Sequence, residues 1–318
     1  MRLPLIIASL LCSVIYSSPG YSAPLKKPVN SRKLGLTIKV EGEGWGNVRK
    51  ETIESVLYSV ADELLTRLPK KLVMPIVVTH TESNPVALYE RGENGEYRVE
   101  LHARESNWHL YTYEFAHELC HILSNYEENA APGASRYNQW FEETLCETAS
   151  LFTLKNLALA WKEAPPVPDL SGEAEKLNRF FDLLIGEGHR QLPPHSPLAA
   201  WFAGNEERLR HDPYQREKNE MVANLLLPLF ERNPENWATL SYLNLDPGDA
   251  RSSLREYLRN WYRNAPPEHK TFIADVLDLF QMREVITAAI PVEKTLVALA
   301  DTGAKSVIAA PPTVADKH

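Results

Sequence analysis

His117-Glu118-Leu119-Cys120-His121 decides more about this 318-residue sequence than any other stretch. The two histidines are four residues apart, so on an α-helix their rings project from the same face. Two imidazoles on one helix face can bind one zinc ion. Glu118 lies about 100° around the helix from His117, where a general base for hydrolysis belongs. The pentapeptide therefore predicts a helical zinc site with hydrolytic chemistry.

Apolar residues recur at helical spacing through and around this pentapeptide. They are Leu110, Tyr113, Ala116, Leu119, Cys120 and Leu123. We expect this stripe to be buried, which places the histidines on a partly shielded helix. A polar helix face that carries two histidines by chance is the simpler alternative, and the apolar flanks argue against it.

A third metal ligand has to come from elsewhere, because a catalytic zinc site usually has three protein ligands and one open position. The extended motif H-E-x-x-H-x-x-G-x-x-H is excluded, since Ser124 and Glu127 stand where it needs glycine and histidine. The next histidine after His121 is His189, and the next aspartate is Asp169. The nearby candidates are Glu127, Glu128, Glu142, Glu143 and Glu147.

A second helix is predicted from about Asn138, and Glu143 and Glu147 share one face of it because they are four residues apart. One of them would bind zinc, and the other would accept a hydrogen bond from a ligand histidine and orient its ring. An exposed acidic helix face is the alternative. The neighbouring Trp140 and Phe152 disfavour it, because they indicate burial.

These residues resemble the gluzincin metallopeptidases, in which a glutamate ligand on a second helix follows H-E-x-x-H. Trp140-Phe141-Glu142-Glu143 is similar to the Trp-Leu-Asn-Glu of zinc aminopeptidases in this group, which implies that Glu143 is the third ligand. Glu147 then matches the aspartate that orients a ligand histidine in thermolysin-like members. The resemblance covers residues 96–152. It departs from the family in the longer connection of 21 residues between His121 and Glu143, and in Glu142 replacing asparagine.

The resemblance also implies a tyrosine or histidine that stabilises the oxyanion formed during peptide hydrolysis. Similar zinc aminopeptidases carry a tyrosine downstream of the glutamate ligand, and Tyr214 is the candidate at a comparable distance. His189, His195 and His211 are alternatives, and an ordinary surface role for Tyr214 is the simpler interpretation. The chain lacks the Gly-rich motif of those aminopeptidases, which favours endopeptidase action.

Residues 1–23 have the pattern of a signal peptide, with Arg2, an apolar run and a small-residue zone that ends at Ala23. We therefore expect export to a periplasm or out of the cell. The formal net charge of −8 gives no reason to expect nucleic-acid binding, and no later segment predicts a membrane span. In an oxidising compartment Cys120 and Cys146 would form a disulfide or remain two buried thiols.

The predicted fold class is α+β. Residues 24–163 are expected to form a zincin-like lobe, with strands at 34–40, 72–79, 86–91 and 97–104, a helix at 48–68, and a mixed or antiparallel sheet before the metal helix. Residues 97–104 alternate apolar and polar. The resemblance implies that this strand is a sheet edge that pairs with substrate, and an ordinary half-exposed strand is the alternative. After a Pro-rich boundary at 164–168, residues 169–318 are predicted to form a helical lobe with helices at 171–184, 197–209, 215–230, 252–262 and 270–280, followed by an unassigned tail.

The sequence thus predicts a secreted zinc-dependent peptidase that acts on peptide or protein substrates. The predicted roles are zinc binding by His117, His121 and Glu143, general base catalysis by Glu118, oxyanion stabilisation by Tyr214, and orientation of a ligand histidine by Glu147. Two alternatives stay open: a binding protein on an inactive peptidase scaffold, with or without zinc, and a zinc hydrolase that acts on a non-peptide amide.

Overall fold

A computed structural model describes residues 28–68, 72–126 and 136–287 of the chain. Its strands are β1 (Ile38–Val40), β2 (Ile76–His80), β3 (Val86–Ala87) and β4 (Tyr97–Leu101). Its helices are α1 (Lys50–Leu65), α2 (Trp108–Leu123), α3 (Gln139–Glu163), α4 (Ala174–Ile185), α5 (Leu198–His211), α6 (Arg216–Arg232), α7 (Leu254–Asn264), α8 (Pro267–Leu279) and α9 (Glu284–Thr287). Short 3-10 helices lie at Pro168–Leu170, Gly188–Arg190, Pro234–Tyr242 and Asp249–Arg251. The predicted α+β class is confirmed.

The strands form one mixed sheet in the order β1-β2-β4-β3. β1 and β4 each run parallel to β2, and β3 runs antiparallel to β4 with Ala87 opposite Val99. Of the two predicted kinds of sheet, mixed or antiparallel, the structure has the mixed one, but the expectation that residues 97–104 form its edge is wrong. β4 has a neighbour on each side, and the edge beside it is the short strand β3. Alternation shows which side chains are buried, and it carries no information about a strand's neighbours.

The sheet packs against two helices as the alternation in β4 predicts. Tyr97, Val99 and Leu101 are buried, whereas Arg98 between them is exposed. α1 packs against β1, and α2 packs against β3 and β4. The result is two layers, a sheet and a pair of helices. This packing holds α2, which carries His117 and His121, beside the edge strand.

α3 is the longest described helix, with 25 residues, and it packs against α2, α4 and α6. Trp140, Phe141 and Phe152 along it are buried. The buried apolar side chains before and after the Pro-rich boundary form one continuous core. The five helices predicted after residue 168 correspond to α4 to α8 with ends within three residues, because their apolar residues recur at helical spacing.

Several predictions lie outside the described residues: the signal peptide at 1–23, the loop glutamates Glu127 and Glu128, and the tail from Ile290. The boundary at residues 164–168 leads into a 3-10 helix and then into α4, which packs back on α3. Within the described ranges, no helix combines the length and the apolar character needed to cross a bilayer.

Candidate metal centre

α2 carries the two histidines of the pentapeptide on the face that meets α3. Tyr111, Phe115 and Leu119 hold the helix in place, because all three are fully buried. The rings of His117 and His121 lie one turn apart, with their centroids separated by 5.1 Å. Their side chains are only 21% and 12% exposed. The predicted placement of the pair on a partly shielded helix is therefore confirmed.

Glu143 on α3 meets both histidines. Its Oε2 atom lies 3.1 Å from Nε2 of His117 and 3.5 Å from Nε2 of His121. The carboxylate is itself largely buried. Two imidazole nitrogens and a carboxylate oxygen thus converge, and this donor set is one that binds catalytic zinc.

Glu142 contacts the outer ring nitrogen of His121, which is the nitrogen that points away from Glu143. Its Oε1 atom lies 2.9 Å from Nδ1 of His121. The other oxygen accepts hydrogen bonds from Nη2 of Arg136 at 2.6 Å and from Nδ2 of Asn244 at 2.9 Å. Glu142 directly precedes Glu143 and so lies about 100° around α3 from it. From this position Glu142 reaches Nδ1 of His121, whereas Glu143 faces Nε2 of the same ring.

Glu147 accepts its hydrogen bonds from Tyr113 and Arg190 and not from a histidine. This corrects its predicted role as the group that orients a ligand histidine. The Tyr113 hydroxyl donates one, and Nη1 of Arg190 donates another at 2.7 Å. Glu147 lies one turn after Glu143 on α3, and Tyr113 lies one turn before His117 on α2. The Tyr113–Glu147 pair is therefore a second cross-link between the helices, displaced by one turn from the contact between His117 and Glu143. Both oxygens of Glu147 thus have partners other than the histidines.

Glu118, the predicted general base, lines the same cleft as His117 and Glu143. The residue is only 4% exposed. Burial raises the pKa of its carboxyl group above the usual value, although the charges of the two nearby histidines oppose this. A carboxyl group whose pKa is raised is better suited to accept and return a proton near neutral pH.

The charges of the cluster favour a positive ion at its centre. Burial opposes a charged Glu143, but the imidazoles of His121 and His117 outweigh it and lower the pKa of this carboxyl group. Burial also opposes a charged His121, but Glu143 and Glu142 outweigh it and raise the pKa of this imidazole well above its usual value. The carboxylates thus stabilise positive charge between them. A divalent cation would supply that charge, so the residues fit a metal ion.

The cluster opens into a cleft of about 660 Å³, which is within the usual range for ligand-binding pockets. α2 and α3 form one wall of it. The loop of residues 82–85, which leads into β3, forms a second wall, and the first turn of α6 forms a third. Phe180 and Leu184 of α4 add apolar surface.

Tyr214, the predicted oxyanion partner, lines this cleft two residues before α6. The residue is 65% exposed, and its hydroxyl accepts a hydrogen bond from Nε2 of Gln139 at 2.7 Å. The described residues that line the cleft do not include the three alternatives, His189, His195 and His211. Tyr214 is therefore the predicted oxyanion candidate that shares the cleft with the cluster.

Cys120 and Cys146 are in hydrogen-bonding contact beside His117 and His121, as their matching offsets from the predicted ligands suggest. Both are buried, and both thiols are free. Sγ of Cys146 lies within 4.8 Å of a ring nitrogen of His117 and of His121, which makes it an alternative third donor. Burial raises the pKa of this thiol well above its usual value, so it would bind a metal ion only after losing its proton, whereas the Glu143 carboxylate already meets both imidazoles. The ionised Glu143 is the better third donor.

A second group of possible metal ligands consists of Glu187, His189 and Glu220. Glu220 accepts a hydrogen bond from Nε of Arg216 at 2.7 Å, and Nη2 of Arg190 lies 3.1 Å from it. Arg190 also donates to Glu187 at 2.9 Å. Two guanidinium groups already neutralise these carboxylates, and they would repel a divalent cation. The group is therefore an ion-pair network and a poor metal site.

The sequence patterns missed most of the residues that support the cluster, which are Tyr113, Arg136, Glu142, Arg190 and Asn244. Tyr113 could have been found, because it precedes His117 by one helical turn and so shares its face. The sequence suggests Glu142 only as a metal ligand. Its position next to Glu143 is the signal that could have indicated its contact with Nδ1 of His121. Arg190 and Asn244 come from distant segments, so no local pattern marks them.

No protein family model, curated protein or solved structure matches this chain. The fold and the site define it as a mixed α+β protein, mostly helical, with a small mixed sheet and a His-His-Glu cluster in a cleft. The chemistry of the chain has to be inferred from that cluster.

Proposed function

We propose that this chain is an exported zinc-dependent peptidase with a zincin-like fold. The observation that carries the proposal is the convergence of His117, His121 and Glu143 in a cleft that Glu118 also lines. Two imidazoles and one carboxylate are a frequent ligand set of catalytic zinc sites, which keep a further position open. The order of sheet, metal helix and glutamate helix agrees with the resemblance to gluzincins. Export is proposed from the pattern of residues 1–23.

The proposed ligands are oriented by neighbouring groups. Glu142 holds Nδ1 of His121, which leaves Nε2 of the same ring to bind a metal ion. Arg136 and Asn244 fix Glu142 in turn. Bound zinc would supply Lewis acidity next to the carbonyl group of a substrate.

Glu118 is proposed as the general base. It would accept a proton from the attacking water molecule and then return the proton to the departing amine nitrogen. Its place in the cleft beside the ligands and the raised pKa of its carboxyl group support this role. A glutamate at the position of the general base favours catalysis over binding alone, and its carboxylate also accepts a backbone hydrogen bond from Ala87 of β3.

Two further features of the cleft support a peptide as the substrate. The hydroxyl of Tyr214, a residue that lines the cleft, is proposed to donate a hydrogen bond to the oxyanion. β3 is an edge strand, and the loop before it lines the cleft. An extended peptide is therefore proposed to pair with β3, in place of the pairing expected for residues 97–104.

The test combines metal analysis with hydrolysis of a random peptide library. Wild-type protein is expected to contain stoichiometric zinc and to cleave the library. Glu118→Gln is expected to keep the zinc and to lose hydrolysis by about 10²- to 10⁴-fold, the usual contribution of a general base. Glu51→Gln, at an exposed position on α1, is the matched control and should cleave like wild type. Wild-type hydrolysis by a zinc-loaded Glu118→Gln protein would contradict the proposal.

A further inference from the structure

The first turn of α6 contributes two side chains to the wall of the cleft, Arg216 and Asn219. They are three residues apart, so they lie on the same face of the helix. Neither has a role in the proposed hydrolysis. Arg216 is also the one arginine or lysine among the described residues that line the cleft.

Arg216 is held along one edge of its guanidinium group and open along the other. Its Nε atom donates to Glu220 at 2.7 Å, and Glu220 is buried and also contacts His189 at 2.6 Å and Arg190 at 3.1 Å. The terminal amino groups of Arg216 have no hydrogen-bond partner within the described ranges, and the side chain is 72% exposed. An arginine fixed in this way presents a ready two-pronged donor, which matches a carboxylate.

Asn219 gives a second, independent indication that a ligand binds here. The residue is only 5% exposed, and its Nδ2 atom donates to the carbonyl oxygen of Pro213 at 2.7 Å, which fixes the orientation of the amide. Its Oδ1 atom is buried and has no hydrogen-bond partner among the described residues. A buried acceptor without a partner is unfavourable, and an N–H group of a bound peptide would satisfy it.

The other charged side chains in the cleft decide which kind of anion fits. Those that line it are Glu82, Glu114, Glu118, Glu143, Glu147 and Glu220. This acidic lining would repel a multiply charged group such as a phosphate more strongly than a singly charged one. A single carboxylate placed on Arg216 is the anion that the cleft tolerates best.

We propose that Arg216 and Asn219 form a substrate subsite, in which Arg216 binds a carboxylate of the peptide and Oδ1 of Asn219 accepts one of its N–H groups. The inference rests on the proposed peptidase function and adds a specificity to it. The carboxylate belongs either to a free C-terminus or to an acidic side chain, and both present the same chemistry to Arg216.

The experiment uses four hexapeptide libraries that differ in a single group. The first pair contains no acidic residue and ends in a free carboxylate or in an amide. The second pair ends in an amide and carries glutamate or glutamine at one fixed position. Zinc-loaded wild type is expected to cleave the carboxylate member of one pair faster, and that pair identifies the source of the carboxylate.

Arg216→Gln is expected to reduce this preference by about 10- to 100-fold through KM, because a charge-assisted contact is lost. Arg216→Lys should keep part of the preference, since lysine retains the positive charge but lacks the two parallel N–H donors of the guanidinium group. Arg232→Gln is the matched control at the other end of α6, and it should keep the full preference. Asn219→Ala should raise KM for both members of a pair alike, with thermal unfolding as the check that it folds.

Equal cleavage of both members of each pair by wild type would overturn the inference and leave the peptidase function standing. An undiminished preference in Arg216→Gln would overturn it as well. If wild type cleaves no library, the peptidase function fails, and equilibrium binding of the same libraries to zinc-loaded Glu118→Gln protein decides the subsite. Binding that depends on both the carboxylate and Arg216 supports it, and equal binding of the paired libraries overturns it.

Discussion

Tyr113 and Glu147 are hydrogen-bonded one helical turn away from the contact between His117 and Glu143. The two contacts are successive cross-links between α2 and α3, the helices that carry the His-His-Glu cluster. Arg190 gives Glu147 a second partner at 2.7 Å, so this buried carboxylate is well satisfied. The polar cross-link therefore fixes the spacing of the two helices while leaving the proposed metal ligands free to bind.

Tyr113→Phe should reduce stability without removing a metal ligand. The change deletes the hydroxyl donor to Glu147 inside the protein, and we expect the free energy of unfolding to fall by about 1–3 kcal/mol. Urea denaturation of the zinc-free protein measures it. Tyr242→Phe, on the 3-10 helix Pro234–Tyr242, is the matched control. An unchanged free energy of unfolding for Tyr113→Phe would show that the cross-link contributes nothing.

Glu142 and Glu147 should differ in their effect on zinc affinity. Glu142→Gln weakens the acceptor for Nδ1 of His121, and zinc affinity should fall by about 10- to 100-fold. Glu147→Gln should change zinc affinity little, because the partners of Glu147 are Tyr113 and Arg190. Competition with a chromophoric chelator measures both, and far-UV circular dichroism checks that each variant folds. A larger loss of zinc affinity in Glu147→Gln than in Glu142→Gln would instead support Glu147 as the group that orients a ligand histidine.

Glu114 should make stability depend on pH. It accepts hydrogen bonds from the backbone N–H groups of His102 and Ala103, each at 2.9 Å, but burial outweighs them and raises the pKa of its carboxyl group. The folded state therefore keeps this proton to a higher pH than the unfolded chain does. Its contribution to stability is full below the unfolded pKa of about 4.3 and is lost as the pH rises through the folded value.

Glu114→Gln keeps an acceptor oxygen and removes the charge. The stability of this variant relative to wild type should therefore increase from about pH 4 towards neutrality. Urea unfolding at a series of pH values measures the difference between the two proteins. A difference that is constant across this range would show that Glu114 does not titrate differently in the folded state.

Removal of the metal should lower thermal stability, because the proposed ligands converge only in the folded chain. At free zinc about 100-fold above Kd, binding stabilises the folded state by about 2.7 kcal/mol. Chelation should lower Tm accordingly, and His117→Ala should no longer respond to zinc. His211→Ala, at an exposed histidine, is the control and should respond like wild type. A zinc-dependent Tm that survives in His117→Ala would place the metal elsewhere.

Local features of the site could be predicted from the sequence, and features that depend on how helices cross could not. The spacing of His117 and His121 fixes their common face on any helix, so the pair was predictable. Which carboxylate reaches the outer nitrogen of His121 depends on the rotation of α3 against α2, and Glu142 therefore replaces Glu147 in that role. Arg190 comes from a separate 3-10 helix, and its contact with Glu147 is invisible to any local pattern.

The sheet shows the same limit. The alternation from Tyr97 to Leu101 fixed the buried face of β4 correctly. The position of β4 inside the sheet follows from its pairing with residues 76–80 and with the short strand β3, which long-range packing determines. The C-terminal helices were predictable because each buries a regular apolar stripe.

The central claim is that His117, His121 and Glu143 together bind zinc, and Cys146 is the nearby donor that competes with Glu143. Zinc X-ray absorption spectroscopy of the loaded protein tests this most directly. The account predicts stoichiometric zinc with only nitrogen and oxygen neighbours at about 2.0–2.2 Å, including two imidazoles. A sulfur neighbour at about 2.3 Å, or a protein that does not retain zinc, would contradict it.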